Sequence, residues 1–135
     1  MKSSAIEAIE TKFAPKPVGP YNQAVLVEKW LYCSGQIALD PSTGEMIGEG
    51  NIEEETKQVL KNLISVVEAA GGESSNVIRP TIYLTDLNDF AKVNEIYEET
   101  FGEAVSPARA CVEVSKLPKG GKIEIDCIAW LENKK

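Results

Sequence analysis

The clearest periodicity lies in residues 51–72, NIEEETKQVLKNLISVVEAAGG, where Ile52, Thr56, Val59, Leu63, Val66 and Ala70 recur three or four apart as one helical stripe. Asn51 stands at the N-cap position, Glu54 at the capping-box position, and the acids of the first turn suit the positive end of the helix dipole. Gly71 and Gly72 offer the left-handed stop that other residues resist. A second helix is predicted over NDFAKVNEIYEETF, residues 88–101, capped by Asn88 and ended near Gly102. Its apolar stripe is Phe90, Val93, Tyr97 and Phe101, with Asn94 at the margin.

Elsewhere the period is two. PKPVGPYNQA, residues 15–24, holds three prolines and a glycine and reads as a loop entering strands at QAVLVEK and WLYCSGQIAL. DPSTGEM supplies a turn before a short third strand. NVIRPTIYLTDL predicts a strand with Ile78, Ile82 and Leu84 on one face and Arg79, Thr81, Tyr83 and Thr85 on the other. Pro80 cannot donate to a ladder, so this strand is expected to be an edge there or to carry a bulge beside Arg79. The closing stretch, SPARACVEVSKLPKGGKIEIDCIAW, reads as a strand pair around a turn. Alternation sends Ala110, Val112 and Val114, then Ile123, Ile125, Cys127 and Ala129, into the core. Arg109, Cys111, Glu113 and Ser115 would share the other face with Glu124, Asp126, Ile128 and Trp130.

This order of elements predicts one α+β domain over residues 1–135, with both helices covering one face of a mixed sheet. The opposite face mixes charges with Trp130, Ile128 and Tyr83. It is too apolar for comfortable solvation, so a subunit interface with polar clefts between chains is expected there.

Composition narrows the chemistry. The 135 residues, 43% hydrophobic, suffice for one core, and MKSSAIEAIETKF has no apolar run for a secretory signal or membrane span, so a soluble cytoplasmic protein is expected. Acidic residues outnumber basic ones 21 to 14, giving a net charge of −7 that opposes nucleic acid as a partner. Cys33, Cys111 and Cys127 lack disulfide or zinc spacing and fit a reducing compartment. With no histidine, catalysis must use carboxylates, cysteine, tyrosine, backbone or water.

Arg109 is open to two readings on spacing alone. An arginine's planar fork can bind a small organic acid bidentately while Glu124 orients or deprotonates a water, which suggests hydrolysis of a carboxylate-bearing substrate. The plainer reading is a cross-strand ion pair with Glu113, Glu124 or Asp126. Cys111 reads as a small hydrophobe before it reads as a nucleophile. Tyr21 reads as a loop anchor, and Ser34 with Gly35 as a bulge or close backbone approach. GEGN and GGKIE fall short of nucleotide-binding fingerprints.

Taken together, VGPYNQA, CSGQIALDPSTGE, DLNDFAKVNEIYEETF and SPARACVEVSKLPKGGKIEID resemble the Rid family, the YjgF-type reactive intermediate deaminases, in its RidA branch. The resemblance runs from about Pro17 to Trp130. It implies a chorismate-mutase-like fold, a homotrimer with sheets meeting centrally, and three intersubunit clefts. It also implies hydrolysis of enamine and imine intermediates, 2-aminoacrylate/2-iminopropanoate and 2-iminobutanoate, to 2-keto acids and ammonia, with no cofactor or metal. In those terms Arg109 grips the substrate carboxylate and Glu124 positions the attacking water. Tyr21, Asn94 and Cys111 shape the pocket, Ser34 and Gly35 contact the substrate, and Arg79 matches a position often basic in relatives. Pro80 and Ser106 depart from the family pattern. The alternatives are a non-catalytic 2-keto acid module using Arg109 alone and, further off, a ribonuclease.

Overall fold

The computed structural model describes residues 5–102 and 105–132. In chain order the elements are β1 (Ile6–Ile9), β2 (Ala24–Val27), β3 (Trp30–Gln36), α1 (Ile52–Ala69), β4 (Val77–Leu84), α2 (Phe90–Phe101), β5 (Ala110–Glu113) and β6 (Ile123–Trp130). The six strands form one sheet ordered β1-β2-β3-β6-β4-β5, antiparallel throughout except for the parallel pair β4–β5. The architecture is α+β, with α1 packed on β3 and β6 and against α2.

The first helix forms as its pattern dictates. The Asn51 side chain accepts the Glu54 N–H at 3.0 Å, three acids occupy the first turn, and Val59, Leu63, Val66 and Val67 are fully buried. They meet Leu31, Ile82, Leu84, Ile123, Ile125 and Ala129 from the sheet in one apolar cluster. Glu55, on the same helix, is also completely buried. Its carboxylate accepts the backbone N–H of Lys122 at 2.8 Å and of Gly50 at 3.2 Å, which pins the lead-in to β6 onto the start of α1.

Several sequence expectations change. β1 is an extra strand at the sheet edge, while the short third strand after DPSTGEM is reduced to a single bridge between Leu39 and Met46. The second helix is entered through a 3-10 turn over Leu87–Asp89, which Asp86 caps by accepting the Asn88 N–H; the helix itself starts at Phe90 with Asp89, not Asn88, at its N-cap position and no side-chain cap bond. The expected bulge beside Arg79 is present, between Val77 and Arg79 opposite Ala129 and Ile128. It inverts one assignment: Val77 enters the core, whereas Ile78 is 40% exposed. Pro80 joins the buried face one residue beyond the end of β5, whose pairing starts at Thr81, so no β5 ladder bond is asked of it.

The closing strands are not a hairpin. β6 inserts between β3 and β4, and β5 lies outside β4 in parallel. β6 buries alternate residues along its whole length, which suits a central strand with two partners; the short, half-exposed β5 suits an edge. The parallel register sets Cys111 beside Ile82 and Glu113 beside Leu84, on the helix side, and Val112 beside Tyr83 on the other. Cys111 accordingly packs against the core cluster, and Val112 is 43% exposed. The faces of β5 are therefore the reverse of those that its valines suggested.

Candidate active site

Two clusters hold all the sequence-predicted site residues except Arg79, and the sheet separates them. The first surrounds Glu124. Alternation along β6 turns Glu124 away from the helices, opposite Tyr83 of β4 and beside the irregular end of β3, where the register shifts between Cys33 and Gln36. Gly35 lies inside that irregularity. A Cβ there would stand 2.1 Å from Glu124 Oε2 and 2.7 Å from its carboxyl carbon, so the carboxylate rests directly on the Gly35 backbone.

Around it lies a cavity of about 380 Å³ whose walls include Pro17, Val18, Tyr21, Ser34, Ile37 and Pro118. The loop side is rigidified by local bonds. Tyr21 Oη accepts the Val18 N–H at 3.1 Å, and Ser34 Oγ donates to the Asn22 carbonyl at 2.7 Å. Ser34 is thus committed to bracing the loop. Gln23, buried, accepts the Thr11 N–H at 2.7 Å and donates to the carbonyls of Thr11, Ala14 and Pro15, which fastens residues 11–15 behind the cavity wall.

Burial, and then the neighbouring Asp126 carboxylate, raises the Glu124 pKa above the ordinary glutamate value. Asp126 is held in turn by the Tyr83 hydroxyl, which donates to its Oδ2 at 3.0 Å. Such a carboxylate is a stronger base than an exposed one.

The second cluster surrounds Arg109, on the helix side. Phe90, Asn94 and Tyr97 are spaced i, i+4, i+7 along α2 and present one stripe to the guanidinium. Arg109 donates from Nη2 to Asn94 Oδ1 at 2.5 Å, and its guanidinium carbon lies 4.7 Å from the Tyr97 ring centre and 5.4 Å from that of Phe90. Aromatic faces on a guanidinium orient it while leaving its in-plane donors available for an anion. Cys111 lies in this half. Burial raises its thiol pKa, partly offset by Arg109, so the thiol is protonated and suited to packing rather than to attack.

Within one chain the sheet therefore keeps Arg109 off the face that carries Glu124, contrary to the shared face that alternation suggested, because β5 pairs with β4 rather than with β6. Arg79 belongs to neither cluster: it is exposed at the β4 bulge, opposite Ile128, four residues along β6 from Glu124. Sequence reasoning missed Gln23, Tyr83, Pro118 and the role of Phe90 and Tyr97 as a shelf. A polar residue opening a buried strand marked Gln23; the aromatics carried the same signal as any core stripe. Among the described residues no three histidine, cysteine, aspartate or glutamate side chains converge as metal ligands would.

Residues 11–131 match the family described as Endoribonuclease L-PSP. A RutC family protein of Synechocystis is 53% identical over 93% of this chain and 97% of its own length. The human 2-iminobutanoate/2-iminopropanoate deaminase is 47% identical over 96% of this chain and 93% of its own. The crystal structure of Escherichia coli TdcF with bound serine superposes with a TM-score of 0.87 at 41% identity, covering 92% of this chain and 98% of that one. The chain belongs to this family, the Rid or YjgF family that its motifs resemble.

Proposed function

We propose that the protein hydrolyses 2-imino acids, 2-iminopropanoate and 2-iminobutanoate, to 2-keto acids and ammonia, at a site shared between neighbouring subunits of a homotrimer. The observation that carries this reading is Glu124, seated on the Gly35 backbone in a preformed cavity with its proton affinity raised. The human relative named for this reaction and the serine-bound relative support the substrate class, a small amino-acid-derived carboxylate. The helix-free face of the sheet supports the oligomer: Trp30 and Tyr32, 40% and 47% exposed, join Val25, Val27, Ile128 and Trp130 in an apolar surface suited to burial against other chains. In this reading Arg109, beside the edge strand β5 of one subunit, reaches the Glu124 cavity of the next.

Arg109, oriented by Asn94 and Tyr97, binds the substrate carboxylate through its fork. The enamine tautomerises to the imine, and Glu124 draws a proton from water as oxygen adds to the imine carbon. The tetrahedral adduct collapses with loss of ammonia. The net charge of −7 weighs against RNA as the substrate.

The test is to generate 2-iminobutanoate from threonine with a pyridoxal-phosphate dehydratase and follow imine loss with and without the protein. Acceleration abolished by Arg109→Ala and by Glu124→Ala is expected. No acceleration by the wild type would reject the enzyme, and 2-keto acid binding unaffected by Glu124→Ala would then favour a binding module.

A further inference from the structure

Three titratable groups share the helix-free face. Glu124 and Asp126 are alternate residues of β6, and Tyr83 of β4 stands opposite Glu124 in the register while its hydroxyl donates to Asp126 at 3.0 Å. The hydrogen bond thus runs diagonally, across the strand pair and past Glu124. Within the chain, other groups facing Glu124 are few; in the proposed trimer Arg109 of the next subunit reaches the same cavity, and its positive charge opposes the raising of the Glu124 pKa. The loop before β2 brings Lys16 and Tyr21 to the same cavity, and β3 contributes Ser34, Gly35 and Gln36, all uncharged. Lys122, two residues upstream and just before β6, is turned to Asp89, with Nζ 4.0 Å from its carboxylate. Asp126 is therefore the nearest negative charge on Glu124's own face, and Tyr83 fixes where that charge sits.

We propose that Asp126, held by Tyr83, is a positioning residue of the hydrolytic site, acting through Glu124 so that one side chain both takes and returns protons during turnover. This rests on Glu124 being the proton-handling carboxylate of the proposed reaction. In the addition step the water oxygen bonds to the imine carbon and the C=N π pair moves to nitrogen, while a water proton passes through Glu124 to that nitrogen. In the collapse step the hydroxyl proton follows the same route as the C–N bond breaks and the C=O bond forms. Ammonia leaves and Glu124 is regenerated ionised. A carboxylate with raised proton affinity takes the proton from oxygen more readily than an ordinary glutamate and passes it on to nitrogen. Burial supplies the larger part of that affinity and Asp126 adds to it. Tyr83 stays protonated as donor, because burial and then its bond to Asp126 raise its own pKa.

The test reads two quantities on the intact protein. Carboxyl-carbon NMR of Glu124, assigned with Glu124→Gln, follows its titration in the wild type, Asp126→Asn, Asp126→Glu and Tyr83→Phe, and the pH profile of kcat/KM for 2-iminobutanoate is recorded in parallel. Asp126→Asn, which keeps an acceptor for Tyr83, is expected to move the Glu124 titration and the acidic limb of the profile together to lower pH. Tyr83→Phe should move both the same way by less, and Asp126→Glu should restore them. A Glu124 titration unchanged in a folded Asp126→Asn protein, or an NMR shift with an unmoved acidic limb, overturns the proposal. A wild type with no imine turnover at any pH overturns the hydrolytic reading instead, and the NMR titration identifies that case.

Discussion

Replacing Gly35 by alanine should strike the reaction through Glu124 while sparing the fold. Gly35 has no positive φ, so its backbone accepts alanine without torsional strain. The added methyl, however, would lie 2.1 Å from Oε2, 2.7 Å from Cδ and 3.0 Å from Cγ of Glu124. Carbon atoms settle roughly 3.5–4.0 Å from non-bonded neighbours, so the carboxylate must withdraw by more than about 1 Å. A displacement of about 1 Å at a reacting group costs on the order of 10²-fold in rate. The assay is kcat/KM for 2-iminobutanoate, with thermal melting as the control for folding. A loss of about that size with a nearly unchanged melt is expected. Removing the carboxylate by Glu124→Gln should cost about 10²- to 10⁴-fold. In the double variant the two losses should not multiply, because both act through one side chain. Wild-type activity in Gly35→Ala, or fully multiplicative losses in the double variant, would refute the claim that Gly35 serves the site by making room for Glu124.

Arg109→Lys keeps the charge but loses the fork; forfeiting one charge-assisted bond of about 1.5–3 kcal/mol should raise KM roughly 10- to 100-fold with a smaller effect on kcat, read from steady-state kinetics. Glu55→Leu leaves the Gly50 and Lys122 N–H groups without their acceptor at about 1–3 kcal/mol each, so urea unfolding should show a substantially lower midpoint. Because the folded-state pKa of Glu124 is raised, its contribution to stability is fullest below the ordinary glutamate range and is lost as pH rises through the raised value. In the Arg109→Ala background, where no guanidinium meets the carboxylate, Glu124→Gln should therefore raise the melting temperature at neutral pH, with the gap closing toward about pH 4.

What was legible in the sequence follows the range of the interactions involved. α1 was readable from its cap to its stop, because the Asn51 bond, the first-turn acids and the apolar stripe are all local. The bulge beside Arg79 was readable for the same reason: Pro80 announces a break in the ladder wherever the strand lies. The faces of β5 were not readable, since alternation says only that two faces differ. Arg109–Glu113 offers valine on one and cysteine on the other, and the choice is made by the parallel pairing with β4, a contact from across the sheet. That long-range pairing is why Arg109 and Glu124 looked like neighbours and are not. Tyr83 and Asp126 were invisible as a pair because 43 positions separate them in sequence. The gap at Gly35 could be suspected from the glycine, but only the register of β3 against β6 puts a carboxylate in it.

In the proposed mechanism, hydrolysis needs Arg109 from one subunit and Glu124 from another. The most direct measurement mixes Arg109→Ala and Glu124→Ala proteins, each inactive alone, under conditions that exchange subunits, and reads imine hydrolysis. If neighbouring chains meet head to tail in a closed ring, a 1:1 mixture restores one intact cleft in about 4, so roughly a quarter of wild-type activity should return. Verified mixed oligomers that remain inactive would contradict the shared site.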